Sequence, residues 1–121
     1  MRRLVLVDDD SFDAERVKRK LRRTEWEVLH FDDAAAALAY LEEQSCDALL
    51  LDVRMPKMDG DQLLDRLAER GCLESAPRVL VWSGLEPPPS VWARFERHGA
   101  RFVSKDEALG PSGLAEILDE S

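Results

Sequence analysis

Five short apolar runs, each followed by a longer stretch of helical periodicity, alternate along the chain. This alternation constrains the fold more than any other feature. "LVLV" (4–7), "WEVLHF" (26–31), "DALLL" (47–51), "RVLVW" (78–82) and "RFVS" (101–104) read as strands. Helices are predicted at 12–23, 33–44, 61–70, 90–99 and 112–120. The first carries Ala14, Val17 and Leu21 at one-face spacing, and the second opens on Asp32 or Asp33 as N-cap. The third is stopped by Gly71, and the fourth runs from behind three prolines to Gly99. Strands that are apolar throughout need cover on both faces. With helices between them, the result is a parallel sheet between two helical layers, with right-handed crossovers. A length of 121 residues suits one such domain over 1–121, with no effector domain in this chain.

Charge and hydropathy exclude several classes. No apolar run is long enough to span a bilayer. The opening "MRRLVLV" meets Asp8 too soon for a signal peptide, so a cytoplasmic location and no membrane partner are expected. The net charge of −8, from 25 acidic against 17 basic residues, argues against direct nucleic-acid binding. Cys46 and Cys72 fit no zinc or redox spacing and read as small, partly buried thiols. The basic run "RVKRKLRR" (16–23) follows Asp13 and Glu15, so acids at the start of the first helix and bases at its end complement the helix dipole.

In an open parallel sheet, ligands bind at the carboxyl ends of the strands. There the sequence places Asp8, Asp9 and Asp10 after strand one and Asp52 after strand three. Ser83 and Gly84 follow strand four, and Ser104 and Lys105 follow strand five. Asp10 and Ser11 suit a helix cap, as do Asp32 and Asp33. Carboxylates gathered at one edge repel one another and raise their pKa values, which a divalent cation relieves. Oxygen ligands that leave room for water and phosphate oxygens suit Mg²⁺. Cation, ammonium and hydroxyl together cradle a phosphoryl group, and Asp52 sits where the covalent acceptor would be. A flavin site is disfavoured, because acids stand where a phosphate loop would be needed.

These pieces, taken in order, resemble the receiver (phosphoacceptor) domain of two-component response regulators. "LVDDDS" resembles the family's acidic pair, matched by Asp8 and Asp9. "LLLDVRMPKMDG" resembles the phosphorylation-site motif around Asp52. "VWSG" places Ser83 at the family's Ser or Thr, and "RFVSK" places Lys105 at its lysine and Phe102 at its aromatic switch position. The resemblance covers essentially the whole chain. It implies a (βα)5 flavodoxin-like, three-layer domain with a five-stranded sheet in the order 2-1-3-4-5. It further implies Mg²⁺, with Mn²⁺ as a substitute, held by Asp8, Asp9, Asp52 and the backbone carbonyl of Arg54. Asp52 would accept a phosphoryl group from a phosphohistidine, with Ser83 and Lys105 on the phosphoryl oxygens. Ser83 and Phe102 would then switch together and reshape the face formed by the fourth helix, fifth strand and fifth helix, where a downstream protein binds. The first helix, through Arg16, Arg19 and Arg23, would dock the histidine kinase or phosphotransfer partner. Trp92, if exposed, would mark a partner or dimer surface. Self-phosphotransfer and autodephosphorylation are the only chemistry implied, not turnover of a substrate.

The sequence also departs from the family pattern. Asp106 replaces the usual proline after Lys105, which leaves cis or trans open at that bond and points to an unusual loop path. "GPSG" (110–113) delays and shortens the fifth helix, and "LEPPPS" (85–90) stiffens a loop that normally moves. Arg54 and Leu85 stand at positions that vary and tune the lifetime of the aspartyl-phosphate. A long cation and an apolar side chain there predict a longer lifetime. A haloacid-dehalogenase-like phosphatase would need a second Asp where Arg54 stands. The remaining alternative is a phosphorylation-independent, receiver-like interaction module.

Overall fold

The computed structural model describes residues 1–73, 78–111 and 113–120. Its strands are β1 (Arg2–Val7), β2 (Trp26–Phe31), β3 (Ala48–Asp52), β4 (Arg78–Ser83) and β5 (Arg101–Ser104). They pair in parallel as one sheet in the order β2-β1-β3-β4-β5. The helices are α1 (Ser11–Leu21), α2 (Ala34–Glu43), α3 (Gly60–Glu69), α4 (Pro89–Glu96), α5 (Lys105–Leu109) and α6 (Gly113–Asp119). The expected flavodoxin-like three-layer arrangement is therefore present, with one helix more than the sequence predicts.

The sheet alternates between two cores. Val5, Val7, Leu49, Leu51 and Val81 pack toward α2, α3 and α4, against Leu38, Leu63, Leu64 and Phe95. Leu4, Leu6, Leu50, Leu80 and Trp82 pack toward α1, α5 and α6, against Val17, Leu21, Ala108 and Leu118. This is why the strands read as apolar throughout. Full burial of one such Leu contributes roughly 1.5–3 kcal/mol. A one-residue slip would exchange the two faces along a whole strand, so the register is strongly specified. Leu49, Leu50 and Leu51 thus fix Asp52 opposite Trp82 at the carboxyl edge of the sheet.

Helix starts follow the capping residues. Asp10 Oδ1 accepts from the Phe12 and Asp13 amides at 2.9 and 3.2 Å. Asp33 Oδ1 accepts from Ala35 and Ala36 at 2.7 and 3.2 Å. At the end of α3, Gly71 adopts φ 70°, the left-handed geometry that glycine tolerates best. The first helix ends at Leu21, two residues before its predicted end, so Arg22 and Arg23 lie beyond it.

The stretch after β5 differs most from expectation. Helix α5 begins directly at Lys105, because the Ser104 hydroxyl caps it by accepting from the Glu107 amide at 3.0 Å. The final helix then runs from Gly113 to Asp119, about two turns as predicted, while its predicted first residue, Ser112, lies outside the described residues. No described peptide bond is cis, so Lys105–Asp106 is trans. The Arg78 guanidinium donates to the carbonyls of Ile117 and Leu118, both at 2.8 Å, and to that of Glu120, which satisfies the open end of α6.

Two tethers and two thiols complete the frame. Asp65 on α3 accepts both oxygens' worth of hydrogen bonds from Arg97, at 2.7 and 2.8 Å, and its Oδ1 lies 2.7 Å from His98 Nε2. Burial works against the Asp65 charge, but these partners outweigh it and hold its pKa below the usual carboxylate range. Cys46 and Cys72 are free and half-buried, and burial pushes the Cys46 thiol up to about 11. Among the described residues no helix is long and apolar enough to cross a membrane.

Candidate functional site

The carboxyl ends of β1, β3, β4 and β5 meet at one edge, as the connectivity requires. Asp8 follows β1 and is fully buried, Asp9 is exposed, and Asp52 ends β3 partly buried. One carboxylate oxygen from each lies within 4.8 Å of the others. Lys105 Nζ enters from β5 and α5 and lies 3.2 Å from Asp8 Oδ2 and 3.8 Å from Asp52 Oδ2. It also stands 5.0 Å above the Trp82 ring, a cation–π contact. Five of the residues singled out in the sequence therefore converge: Asp8, Asp9 and Asp52 as a cluster, Lys105 against it, and Ser83 beside Asp52 on the neighbouring strand.

The electrostatics are those of a site short of positive charge. Burial, with the negative charge of Asp8 next in weight, pushes Asp52 up to about 6 despite the pull of Lys105 and the Val53 amide. Burial likewise raises Asp8, although the Asp10 amide donates to its Oδ1 at 2.8 Å. Burial opposes the charge on Lys105 as well, but the hydrogen bond to Asp13 and the carboxylates of Asp8 and Asp52 raise its pKa further. Asp8 Oδ2 is buried and accepts no hydrogen bond, since Lys105 reaches it at ion-pair distance without hydrogen-bond alignment. A buried oxygen met by an ammonium only at ion-pair distance, with two more carboxylate oxygens close by, suits a hard divalent cation with oxygen ligands.

Ser83, Arg54 and Leu85 line an open cleft of about 360 Å³ beside Asp52, together with Pro88 and Val91. The Ser83 hydroxyl accepts from the Leu85 amide at 3.4 Å. The Leu85 side chain is 83% exposed, and Arg54 is exposed too. Pro89 is the first residue of α4, so part of the proline cluster starts the helix rather than only stiffening the loop before it. Phe102 is half-buried and meets Trp92 of α4 edge-on, with ring centroids 6.1 Å apart. Trp92 also stacks on Phe95, which leaves it half-buried rather than exposed. Arg16 and Arg19 are exposed on α1, while Arg23 is off the helix.

Gly60, at the start of α3, explains the "DG" after Asp52. A Cβ there would lie 2.3 Å from the Asp52 carbonyl oxygen and 3.1 Å from the Phe95 ring. Two residues near the site escaped the sequence reading. Asp13, taken only as an acid suited to the helix dipole, accepts from Lys105 Nζ at 2.8 Å. His30, given no role, places Nε2 2.8 Å from the Asp8 carbonyl oxygen.

Fold and site together define a doubly wound α/β domain with an acidic pocket and a lysine at the carboxyl edge of its sheet. Residues 4–117 match the family model of the response regulator receiver domain, and the chain belongs to that family of two-component signalling domains. It is 36% identical over 69 residues to the response regulator receiver protein CpdR of Brucella abortus, covering 57% of this chain and 58% of that one. It is 34% identical over 115 residues to a protein-glutamate methylesterase/protein-glutamine glutaminase of Anaeromyxobacter dehalogenans, covering 94% of this chain and 32% of that one. The chain thus spans between about a third and three fifths of these relatives. Among solved structures, the NarL receiver domain of Mycobacterium tuberculosis superposes with a TM-score of 0.73 at 33% identity, covering 89% of this chain and 86% of that one. The chemotaxis protein CheY4 of Vibrio cholerae gives 0.84 at 24% identity, covering 98% and 96%, a likeness of fold.

Proposed function

We propose that this domain is a cytoplasmic phosphoacceptor that takes a phosphoryl group from a phosphohistidine onto Asp52. The observation that carries the reading is the meeting of Asp8, Asp9 and Asp52 within 4.8 Å, with Lys105 Nζ 3.8 Å from the Asp52 carboxylate. An Asp52 oxygen attacks the phosphorus. The new O–P bond forms as the N–P bond breaks, and the imidazole nitrogen keeps the electron pair and takes a proton from solvent. Lys105 and the Ser83 hydroxyl meet the phosphoryl oxygens as their charge shifts. Asp8, Asp9, Asp52 and the Arg54 carbonyl would hold Mg²⁺, or Mn²⁺ in its place. The ion supplies charge neutralisation between the acceptor and the incoming phosphoryl group.

Output is a change in protein–protein affinity rather than turnover of a substrate. Ser83 drawn toward the phosphoryl group frees the space that lets Phe102 change rotamer at the α4–β5 face. There Trp92 already packs on the Phe102 ring, so the switch works against an aromatic contact. Arg16 and Arg19 present the basic surface for the phosphohistidine partner.

The test is intact mass after incubation with Mg²⁺ and acetyl phosphate or phosphoramidate. One added phosphoryl group in the native domain, none in Asp52→Ala and none in EDTA is the expected result. No addition under any condition would sink the proposal and favour an interaction module that works without phosphorylation.

A further inference from the structure

Lys105 has a closer partner than the cluster it faces. Its ammonium lies 2.8 Å from Asp13 Oδ2, against 3.2 Å to Asp8 and 3.8 Å to Asp52. Asp13 comes from the first turn of α1, 92 residues away in sequence. An acid placed only to complement a helix dipole stays in solvent. The Asp13 side chain is 14% exposed, and both its oxygens are engaged, Oδ2 by Lys105 and Oδ1 by Arg16 at 3.8 Å.

We infer that Asp13 is a positioning residue for cation binding: as the nearest acceptor it competes with Asp8 and Asp52 for the Lys105 ammonium and so leaves more of their oxygens to a divalent ion. The inference rests on the reading of Asp8, Asp9 and Asp52 as cation ligands. An ammonium and a divalent cation compete for the same carboxylates, both by occupying lone pairs and by repelling each other. Lys105 carries three donors on a flexible stem and already stands 3.2 Å from the Asp8 oxygen that accepts no hydrogen bond, so a competing acceptor is needed to draw it off. Asp13 is that acceptor. It shares the ammonium with Asp8 and Asp52, which keeps the lysine near enough to meet a phosphoryl oxygen without committing all its donors to the ligand carboxylates.

The test is a double-mutant cycle read as metal affinity rather than as phosphorylation. Mn²⁺ binding is followed by the electron paramagnetic resonance signal of the free ion, and Mg²⁺ by competition. Asp13→Asn, or Asp13→Ser if the first does not fold, is expected to weaken binding by ~3- to 10-fold, as for coupled neighbouring charges. In a Lys105→Met background the same change is expected to alter affinity by less than about 2-fold, because there is no ammonium left to restrain. Equal weakening in both backgrounds would show a general loss of negative charge and overturn the inference. So would an Asp13 variant that binds as tightly as the native domain. If the native domain binds neither ion, the ligand assignment itself fails and this inference goes with it. If binding is lost in Asp52→Asn but indifferent to Asp13, only the inference falls.

Discussion

Asp52→Asn should stabilise the metal-free domain at neutral pH. The aspartate moves from an ordinary 3.8 to about 6 on folding, because burial and Asp8 disfavour its charge more than Lys105 favours it. The folded state therefore holds its proton more tightly than the unfolded state. Its contribution to stability is complete below about pH 3.8 and is lost as pH rises through 6. At 1.36 kcal/mol per pK unit, that loss is about 3 kcal/mol at pH 7.5. Asparagine carries no charge, and its oxygen can still accept from the Val53 amide as Asp52 Oδ1 does at 2.8 Å. Urea unfolding in EDTA should then show the variant more stable than the native domain by up to about 3 kcal/mol at pH 7.5, with the gap shrinking toward zero near pH 4. Added Mg²⁺ should narrow the gap at pH 7.5, since an ion at ten times its Kd stabilises the native domain by about 1.4 kcal/mol. Equal stability of the two proteins in EDTA at pH 7.5, or a gap that ignores pH, would refute the electrostatic account.

Other consequences can be checked separately. Gly60→Ala should destabilise the domain by about 1–3 kcal/mol in urea and lower its capacity for phosphorylation, because the new methyl meets the Asp52 carbonyl. Arg54→Ala should shorten the aspartyl-phosphate lifetime, measured as loss of the added mass over time, since Arg54 lines the open cleft beside Asp52 and its loss would widen it. Arg16→Glu with Arg19→Glu should slow phosphotransfer from a phosphohistidine partner protein and leave labelling by acetyl phosphate unchanged. Asp65→Ala should cost about 1 kcal/mol, as expected for a partly exposed ion-pair cluster, and should speed amide exchange at the C-terminal end of α4.

The frame and the main cluster were legible because both follow from short-range pattern. A strand buried on two faces must be apolar at every position, and "LVLV" and "LLL" are; what stops such a strand is then conspicuous, as Asp8 and Asp52 are. The residues that escaped depend on distant partners. Asp13 looks like any acid in a first helical turn, and only the packing of α1 beside α5 brings Lys105 to it. His30 bonds a backbone carbonyl, and no residue type marks such a partner in advance. Helix α5 was missed because five residues, "KDEAL", are too few to show periodicity, and its cap is a residue already assigned to a strand. The role of Trp92 stayed conditional on its exposure, and its half-buried place against Phe102 and Phe95 depends on tertiary packing.

Ser104 belongs to two elements at once. Its backbone pairs with Ser83 as the last rung of the sheet, and its hydroxyl closes the first turn of α5 through the Glu107 amide. No residue lies between strand and helix to absorb a displacement. Any shift of the β4 end that moves this rung must also stretch or relax the cap. If phosphorylation of Asp52 moves the β4 end, the exchange rate of one amide proton, that of Glu107, is expected to change, a signal readable without any partner protein.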